Sequence, residues 1–257
     1  MNKFLNYTAI SIWVLYLVVA SQPANADNEI YVTQTGNNLR LEWEQKGQDN
    51  VINTILSGYQ LDTAILQEGN RNQVLKKSQG ITGDYNQVVV EQWNNTNSTD
   101  INKIWIDIDG DSNAVDVGQG CKFLYSNSTS CDRDTHEDAG HEMEINITGD
   151  YNWVRGGQKS GTADPDHTLV MDINSDNNSV WFTQAGSGDK NLDLTINNDG
   201  NSVSIHQHYG AHTATVTLDG TSPTDLNLIQ AGGPSQTYNL MQNCLTIGGC
   251  SVSVTQQ

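Results

Sequence analysis

The sequence predicts an all-β fold, namely a β-solenoid with two strands per rung and about nine rungs of roughly 22 residues. Three observations predict it. Apolar and polar residues alternate over segments of seven residues, the first five segments start eleven residues apart and most later ones form pairs with the same spacing, and turns rich in Gly, Asp and Asn separate them. Alternation with a period of two is typical of β-strands that bury one face. A two-strand unit that repeats along the chain is typical of a solenoid.

The seven-residue segments, which we call arcs and number from position 0 to position 6, are predicted to form the strands. The first five arcs begin at residues 28, 39, 50, 61 and 72, and the others begin at 86, 102, 113, 141, 152, 167, 178, 190, 201, 212, 224, 239 and 250. Positions 2 and 4 are apolar in 31 of 36 cases, against 36% hydrophobic residues in the whole chain. We therefore expect them to form the core. The exceptions are Thr54, Thr63, Lys76, Gly156 and Asn243.

Short turns are expected between the arcs. The segment TGDY occurs twice, at 82–85 and 148–151, and DGDS and NNDG occupy 109–112 and 197–200. Gly, Asp and Asn tolerate the positive φ angles that a tight reversal requires. A single rung of this kind buries too few side chains to offset the entropy of ordering its backbone, so stacking on neighbouring rungs is required.

Asparagine and glutamine occupy the two ends of the arcs. Position 0 is Asn in ten arcs and position 6 is Gln in ten. Both positions have the inward parity of the core positions, at the corners where the chain turns. Because a carboxamide both donates and accepts, identical residues stacked at the rung spacing are predicted to form hydrogen-bonded ladders. The predicted ladder residues are Asn28, Gln34, Gln45, Asn50, Gln67, Asn72, Asn86, Gln92, Asn113, Gln119, Asn152, Gln158, Asn178, Gln184, Asn201, Gln207, Gln230 and Gln256.

These residues resemble the curlin repeat, in which Gln-x-Gly-x-x-Asn joins two five-residue spacers. The segments QKGQDN (45–50) and QEGNRN (67–72) match that centre letter for letter. The chain is similar to the subunits of curli fibres over residues 28–256. The resemblance implies a secreted bacterial protein, from a Gram-negative organism, that assembles into amyloid-like fibres of the biofilm matrix and mediates adhesion. The insertions, the cysteines, the larger number of rungs and the Ile or Leu that ends many arcs differ from the family. The roles of main subunit and nucleating minor subunit are both left open.

The first 26 residues are predicted to be a secretory signal peptide. Lys3 precedes the apolar run at 9–20, which is too short to span a bilayer, and ANA at 24–26 is typical of a cleavage site. Residues 27–257 are expected to form one solenoid domain, with loop insertions near 120–140 and 158–167. The formal net charge of −18 argues against nucleic acid and anionic lipid as partners.

The four cysteines fall into two close pairs, Cys121 with Cys131 and Cys244 with Cys250. In a chain predicted to be exported, such pairs favour two local disulfide bonds. Free thiols are the alternative, and the spacing does not match a zinc site.

Other candidate sites are weak. The acidic segment 131–144 contains His136 and His141, and DIDGDSN at 107–113 begins like a calcium loop but lacks the closing glutamate. His206, His208 and His212 cluster near one turn, and the outward aromatic residues Tyr31, Trp105 and Trp181 could bind sugar or pack on neighbouring rungs. No motif of a known catalytic class stands out. We therefore expect no enzymatic activity, no cofactor and no specific metal site.

The sequence predicts a structural function. We expect a fibre subunit that stacks end to end on copies of itself, because the first arc starts near the predicted cleavage site and the last ends at Gln256, which leaves bare strand edges. A nucleating subunit and outer-membrane secretion machinery are the expected further partners. The alternatives are a minor nucleating subunit and a monomeric surface-binding solenoid, either an adhesin or a polysaccharide-acting β-helix.

Overall fold

The protein is described by a computed structural model that contains only β-strands, turns and irregular segments among the residues it describes. No helix in that part of the chain is long and apolar enough to cross a membrane. The described residues are 28–36, 38–46, 50–57, 60–68, 73–74, 81–82, 86–93, 102–109, 112–119, 141–148, 151–158, 167–174, 177–186, 188–197, 200–208, 210–220, 224–233, 235–244 and 250–257.

Nineteen strands, numbered in chain order, form two sheets. Sheet A contains ten of them, which are β1 (Asn28–Thr35), β3 (Asn50–Ser57), β5 (Gln73–Val74), β6 (Ile81–Thr82), β8 (Asn102–Asp109), β10 (His141–Thr148), β12 (His167–Asn174), β14 (Lys190–Ile196), β16 (His212–Gly220) and β18 (Gln236–Cys244). Sheet B contains the other nine, which are β2 (Arg40–Lys46), β4 (Asp62–Glu68), β7 (Gln87–Trp93), β9 (Ala114–Gln119), β11 (Trp153–Val154), β13 (Ser179–Gln184), β15 (Ser202–His208), β17 (Asp225–Ala231) and β19 (Ser251–Gln256).

Every strand pairing within the two sheets is parallel. Apart from β5 and β6, which both belong to sheet A, consecutive strands of the chain alternate between the sheets. Parallel neighbours cannot be joined by a hairpin, so the chain has to return through the opposite sheet before it pairs again. The protein therefore folds as a β-solenoid, which confirms the all-β solenoid class predicted from the sequence.

The core lies between the two sheets. Residues on most strands alternate between buried and accessible, as on β10 and β14, because successive side chains of a strand point to opposite faces. The buried side chains form one continuous apolar cluster along the solenoid, which includes Ile52, Ile104, Met143, Phe182 and Leu228. Each fully buried side chain of this size contributes about 1.5 to 3 kcal/mol.

Two arcs have a different register from the one predicted. Leu56 pairs with Ile81 rather than with Ser78, so the arc that begins at residue 72 is interrupted by three extra residues. Gln236 rather than Asn239 pairs with His212, and Tyr238 and Leu240 pack against the core. Because side chains alternate along a strand, a shift of three residues exchanges the inward and outward faces. The predicted inward position of Met241 is therefore wrong, and its side chain is 65% exposed.

The turns that precede sheet B strands contain a residue in the left-handed conformation. The φ angle is positive at Asn38, Gln60, Ser112, Tyr151, Asn177 and Gly200. Each lies two residues before a sheet B strand. In the turn at 148–151 it is Tyr151, with a φ of 55°, that has the positive angle. The predicted signal peptide, the insertion at 120–140 and residues 159–166 lie outside the described residues, and the predictions for them stay predictions.

Candidate functional site

A column of buried glutamines lies along sheet B at the last inward position of its strands. In the N-terminal part, Gln67 Nε2 donates to Gln45 Oε1 at 2.8 Å and Gln92 Nε2 donates to Gln67 Oε1 at 2.9 Å. Gln119 Nε2 continues the column to Gln92 Oε1 at 3.0 Å. Each amide in this block donates toward the N-terminal neighbour. We call these four residues the first glutamine ladder.

The second glutamine ladder comprises Gln158, Gln184, Gln207, Gln230 and Gln256, and its hydrogen bonds point the other way. Gln184 Nε2 donates to Gln207 Oε1 at 2.9 Å, and Gln207 Nε2 donates to Gln230 Oε1 at 2.8 Å. The outer bonds, from Gln158 to Gln184 and from Gln230 to Gln256, are 3.5 and 3.3 Å long. Each amide therefore donates toward the C-terminal end. The polarity of the column reverses between β9 and β11.

The glutamines also form hydrogen bonds across the corner between sheet B and sheet A. Gln92 Nε2 lies 3.1 Å from the carbonyl oxygen of Lys103, and Gln230 Nε2 lies 3.2 Å from that of Thr237. Both carbonyl groups belong to the sheet A strand that follows in the chain. One amide therefore links two strands of sheet B and also closes the connection to sheet A. An isosteric apolar side chain would leave these acceptors without that donor.

Asparagines form a second column at the start of sheet B strands. Asn178 Nδ2 donates to Asn152 Oδ1 and Asn201 Nδ2 donates to Asn178 Oδ1, both at 2.7 Å. Thr224 Oγ1 extends the column with a contact of 3.4 Å to Asn201 Oδ1. Asn113 is buried, but its side-chain nitrogen and oxygen have no partner among the described residues. The asparagine column is thus also discontinuous between β9 and β11.

The remaining predicted ladder residues are placed as follows. Asn50 and Asn86 are buried at the inward corners of sheets A and B. Asn28 and Gln34 lie on β1, where their side chains are not described, and Asn72 lies outside the described residues. Gln256 is exposed, as the last member of the second glutamine ladder.

Two adjacent glycines shorten the strand at which both columns break. Strand β11 has two residues, and irregular backbone with Gly156 and Gly157 follows it. A Cβ atom on Gly156 would lie 2.4 Å from Phe182 Cδ2 and 2.8 Å from Phe182 Cα. A Cβ atom on Gly157 would lie 2.9 Å from Gly118 Cα. Gly156 was an exception to the predicted apolar core positions, and the ring of Phe182 occupies the space beside it.

Sheet A carries a row of buried basic residues at the inward corner where Asn is the commonest residue in the sequence. His141, His167, Lys190 and His212 occupy the first position of β10, β12, β14 and β16, and each is at most 1% exposed. We call these four residues the basic row. The rings of His141 and His167 stack with centroids 4.7 Å apart and an interplanar angle of 10°. Lys190 Nζ donates to the carbonyl oxygens of Gly186 and, at 3.0 Å, Gly188.

Burial changes the ionisation of this row. It lowers the pKa of His141 to about 4 and, together with the charges of His141 and Lys190, it lowers the pKa of His167 to about 2. Burial also lowers the pKa of His212, and it lowers the pKa of Lys190 to about 8 against the opposing charge of Asp189. An imidazole in this row is therefore neutral at physiological pH.

The other sequence candidates have ordinary structural surroundings. Asp107 accepts a hydrogen bond of 2.8 Å from Asn146 Nδ2, and Lys103 Nζ lies 5.6 Å from the centroid of the Trp105 ring. His206 contacts the rings of Trp181 and His208, with centroids 6.2 and 5.8 Å away. Tyr31 is 66% exposed. Within the described ranges, no group of three or more His, Cys, Asp or Glu side chains is arranged to hold a metal ion.

Cys250 is disulfide-bonded. It has a φ of 66° and precedes β19, the last strand of sheet B. Cys244 ends β18, and its predicted pairing with Cys250 stays a prediction. Cys121 and Cys131 lie outside the described part of the chain.

The C-terminal end of the solenoid leaves apolar side chains uncovered. Val252 and Val254 pair with Leu226 and Leu228, and they extend the same inward rows of sheet B. Leu226 and Leu228 are 2% and 0% exposed, whereas Val252 and Val254 are 42% and 38% exposed. Within the described strands, β18 and β19 each have a paired neighbour on one side. This end thus presents two open strand edges and an accessible apolar row, which we call the terminal face.

Neither a family model, nor a curated protein, nor a solved structure matches this chain. The arrangement of its own residues is therefore the basis for assigning a function. The described structure combines long polar ladders parallel to the solenoid axis with an uncovered terminal face. Such an arrangement supports stacking along that axis.

Proposed function

We propose that the protein is a secreted structural subunit that assembles end to end into curli-like amyloid fibres. In this proposal each turn of the solenoid contributes one strand to each sheet, which gives about nine rungs of roughly 22 residues. The strand edges of one subunit continue the sheets of the next. The fibres would belong to the biofilm matrix of a Gram-negative bacterium and mediate adhesion. A catalytic role is not part of this function.

The single observation that carries the proposal is the terminal face. Val252 and Val254 keep the inward parity of the core but remain accessible, because no further strand covers them among the described residues. An open parallel edge also presents unpaired N–H and C=O groups, which soluble monomers normally protect. A second copy of this chain supplies both missing components, since its strands carry the same period of apolar side chains. A second copy of this chain therefore fits the terminal face better than a partner whose sequence lacks the repeat of apolar residues.

The ladders favour the same arrangement. Gln256 ends the second glutamine ladder in an exposed position, bonded to Gln230 at 3.3 Å. A carboxamide from an added copy would extend the column in the same polarity. Identical amides stacked at the strand spacing of about 4.8 Å stabilise amyloid-like assemblies in this way. The expected partners are further copies of this chain, a nucleating subunit and an outer-membrane secretion apparatus, without nucleic acid.

Substitution of one valine on the terminal face tests the proposal. We expect Val254→Asp to abolish or strongly slow fibre formation, because it places a charge where the next strand has to dock. Val170→Asp is the matched control, since Val170 is 39% exposed, close to the 38% of Val254, but lies on the outward face of β12. Electron microscopy and amyloid-dye fluorescence of the purified proteins measure assembly.

The outcomes separate the proposed function from its alternatives. Fibres from wild type and Val170→Asp but not from Val254→Asp support end-to-end stacking. A wild-type protein that stays monomeric for days at micromolar concentration with a β-type circular dichroism spectrum would contradict the proposal, and would favour a monomeric surface-binding solenoid. Wild-type protein that assembles only when preformed fibres of another subunit are added would indicate a minor subunit.

A further inference from the structure

The basic row requires an explanation because it replaces a residue type that would suit the fold better. Asn50 occupies the corresponding inward corner on β3, and asparagines at the sheet B corner bond to one another. In contrast, neither ring nitrogen of His141 has a hydrogen-bond partner in the described structure. His167 and His212 interact with backbone groups of Asp189 and of His208 and Ser235, respectively. A buried polar group without a partner lowers stability. A buried charge lowers it much further.

Stacking makes the row sensitive to protonation. The rings of His141 and His167 are nearly parallel at 4.7 Å, so two imidazolium charges at this position would repel each other in a medium of low dielectric constant. Neutral rings stack there without this repulsion. The same geometry argues against a shared metal ion. An imidazole nitrogen binds a metal in the plane of its ring, and two parallel planes do not meet at one ion.

The neighbouring elements do not neutralise charge on the row. Towards β8, Glu142 of β10 forms an ion pair of 2.5 Å with Lys103 on the outward face. Directly after β11 the ionisable group is Arg155, which is bonded to Asp116 of β9 at 3.1 Å. Next to His212, β18 contributes the uncharged Gln236. The groups that act on the row itself are its own members, Asp189 before β14, and backbone groups of His208 and Ser235 beside His212. The row in turn lowers the pKa of His208 on β15.

We propose that the basic row is a pH-sensitive device that keeps β10, β12 and β16 in the solenoid at neutral pH and destabilises them in acid. It concerns the folding of a single chain, so it does not depend on fibre assembly. The row lies at consecutive positions of sheet A, and loss of β10 and β12 would separate the two halves of that sheet.

The direction of the effect follows from the pKa values. Burial lowers the pKa of His141 to about 4 and that of His167 to about 2, from an ordinary value of 6.5. Unfolding therefore takes up a proton at each histidine below pH 6.5. The stabilising contribution of the neutral rings is complete above this value and is lost as the pH falls, toward about 4 for His141 and about 2 for His167. For each histidine, the unfolding constant rises about thirtyfold between pH 8 and pH 5.

Urea unfolding at pH 8 and pH 5 tests the device. The full chain is compared with His141→Asn/His167→Asn, which restores the residue found elsewhere at the inward corners. His206→Asn/His208→Asn is the matched control, because it also removes two imidazoles but leaves the basic row intact. Tryptophan fluorescence at constant ionic strength and at submicromolar protein concentration reports unfolding before assembly. We expect the row variant to lose much less stability in acid than wild type, by several hundredfold in the unfolding constant. The control should reduce the pH dependence by less, because burial also lowers the pKa of His206 and His208 but both side chains are partly accessible and lie outside the row.

Two outcomes would overturn the proposal. One is an equal loss of stability in acid for wild type and the row variant. The other is a control that reduces the pH dependence as much as the row variant does. Where the double variant does not fold, the single variants His141→Asn and His167→Asn replace it, each with an expected reduction of about thirtyfold. Hydrogen exchange of wild type adds a local readout. Corrected for intrinsic rates, protection in acid should fall first in β10 and β12, and a uniform loss from β1 to β19 would also overturn the proposal.

Discussion

At the residue scale, the choice of glutamine at the sheet B corner follows from its hydrogen-bonding capacity. Gln67 is fully buried, donates to Gln45 and accepts from Gln92. A glutamate at this position would face its own copies as a charge, and a leucine would offer neither donor nor acceptor. A carboxamide satisfies both neighbours in a column of identical residues, because it carries a donor and an acceptor at the end of one side chain. The residue type at each ladder position is therefore determined by the hydrogen bonds to the ladder residues on the two neighbouring strands.

Replacement of one ladder glutamine should lower stability. Gln67→Leu keeps the inward apolar pattern but leaves amide groups of Gln45 and Gln92 buried without this partner, at a cost of about 1 to 3 kcal/mol. The free energy of unfolding in urea measures the effect. Gln87→Leu is the control, since Gln87 is exposed on β7 and the same substitution there should change stability little. Equal losses in the two variants would show that the ladder bonds contribute no specific stability.

Gly156 should tolerate no larger side chain. Its added Cβ atom would lie 2.8 Å from both Phe182 Cα and Trp181 O, and backbone atoms cannot move away as a flexible side chain can. We expect Gly156→Ala to lower the free energy of unfolding by about 1 to 3 kcal/mol. In Gly36→Ala the nearest atom is the side-chain Cδ2 of Leu39 at 3.3 Å, so a smaller loss is expected. A stability for Gly156→Ala equal to that of wild type would contradict this packing.

At the element scale, the sequence predicts the all-β class and the alternation, but it does not determine the register everywhere. The sequence predicts that an arc starts at Asn239, because Asn is the commonest residue at position 0. The structure starts β18 at Gln236, so Tyr238 and Leu240 pack against the core and Met241 is exposed. The register predicted from the sequence requires Asn243 to face the core, which is unfavourable for a polar side chain. Burial of two apolar side chains outweighs the identity of one corner residue.

The basic row and the reversal of the glutamine ladder could not be predicted in the same way. The predicted arcs place all four residues of the basic row at the inward position 0, but a sequence with Asn at ten such positions gives no reason to expect buried imidazoles and a buried ammonium group there. These residues share one row because the strands of sheet A keep the same register on both sides of the long segments between β9 and β12. The strand pairing establishes that register. The direction of each amide depends on its neighbours, and sequence carries no signal for it.

A substitution in one of the turns that precede sheet B strands should raise the stability of the fold rather than lower it. Tyr151 has a φ of 55° and a side chain that is 62% exposed, so its aromatic ring contributes little burial while its Cβ strains the backbone. We expect Tyr151→Gly to raise stability by about 1 kcal/mol, since glycine adopts this conformation without the steric cost. Glu42→Gly on exposed extended backbone of β2 should lower stability instead. Thermal unfolding that moves in the same direction for both would contradict the role of the turn.

At the scale of the whole molecule, the ladders promote assembly and the net charge opposes it. The chain carries a net charge of −18, and exposed acidic residues such as Glu42, Glu44, Asp172 and Asp193 lie on the outward faces of the sheets. Stacking of identical copies places these charges in rows. The repulsion between approaching subunits acts over the Debye length, which falls from about 30 Å at 0.01 M salt to about 8 Å at 0.15 M.

Salt should therefore accelerate assembly at neutral pH. Between about 0.01 and 0.15 M salt at pH 7 we expect a shorter lag and faster elongation, because screening removes the long-range repulsion before the strands dock. Amyloid-dye fluorescence measures both phases. Sucrose at matched osmolality is the control, since it changes the solvent without screening charge. If neither phase responds to salt, charge does not limit association, and a dedicated nucleating partner becomes the better explanation of how assembly starts.

Acid should act on assembly in two opposing ways, and the basic row allows them to be separated. From pH 7 to pH 5 the carboxylates approach their pKa range and the repulsion between subunits declines, which favours assembly. Over the same interval the buried His141 and His167 make the folded subunit less stable, because their pKa values in the fold lie at about 4 and 2, well below 6.5. We therefore expect His141→Asn/His167→Asn to assemble faster at pH 5 than at pH 7, and wild type to gain less. Identical acceleration in the two proteins would mean that assembly starts from chains in which β10 and β12 are not yet folded.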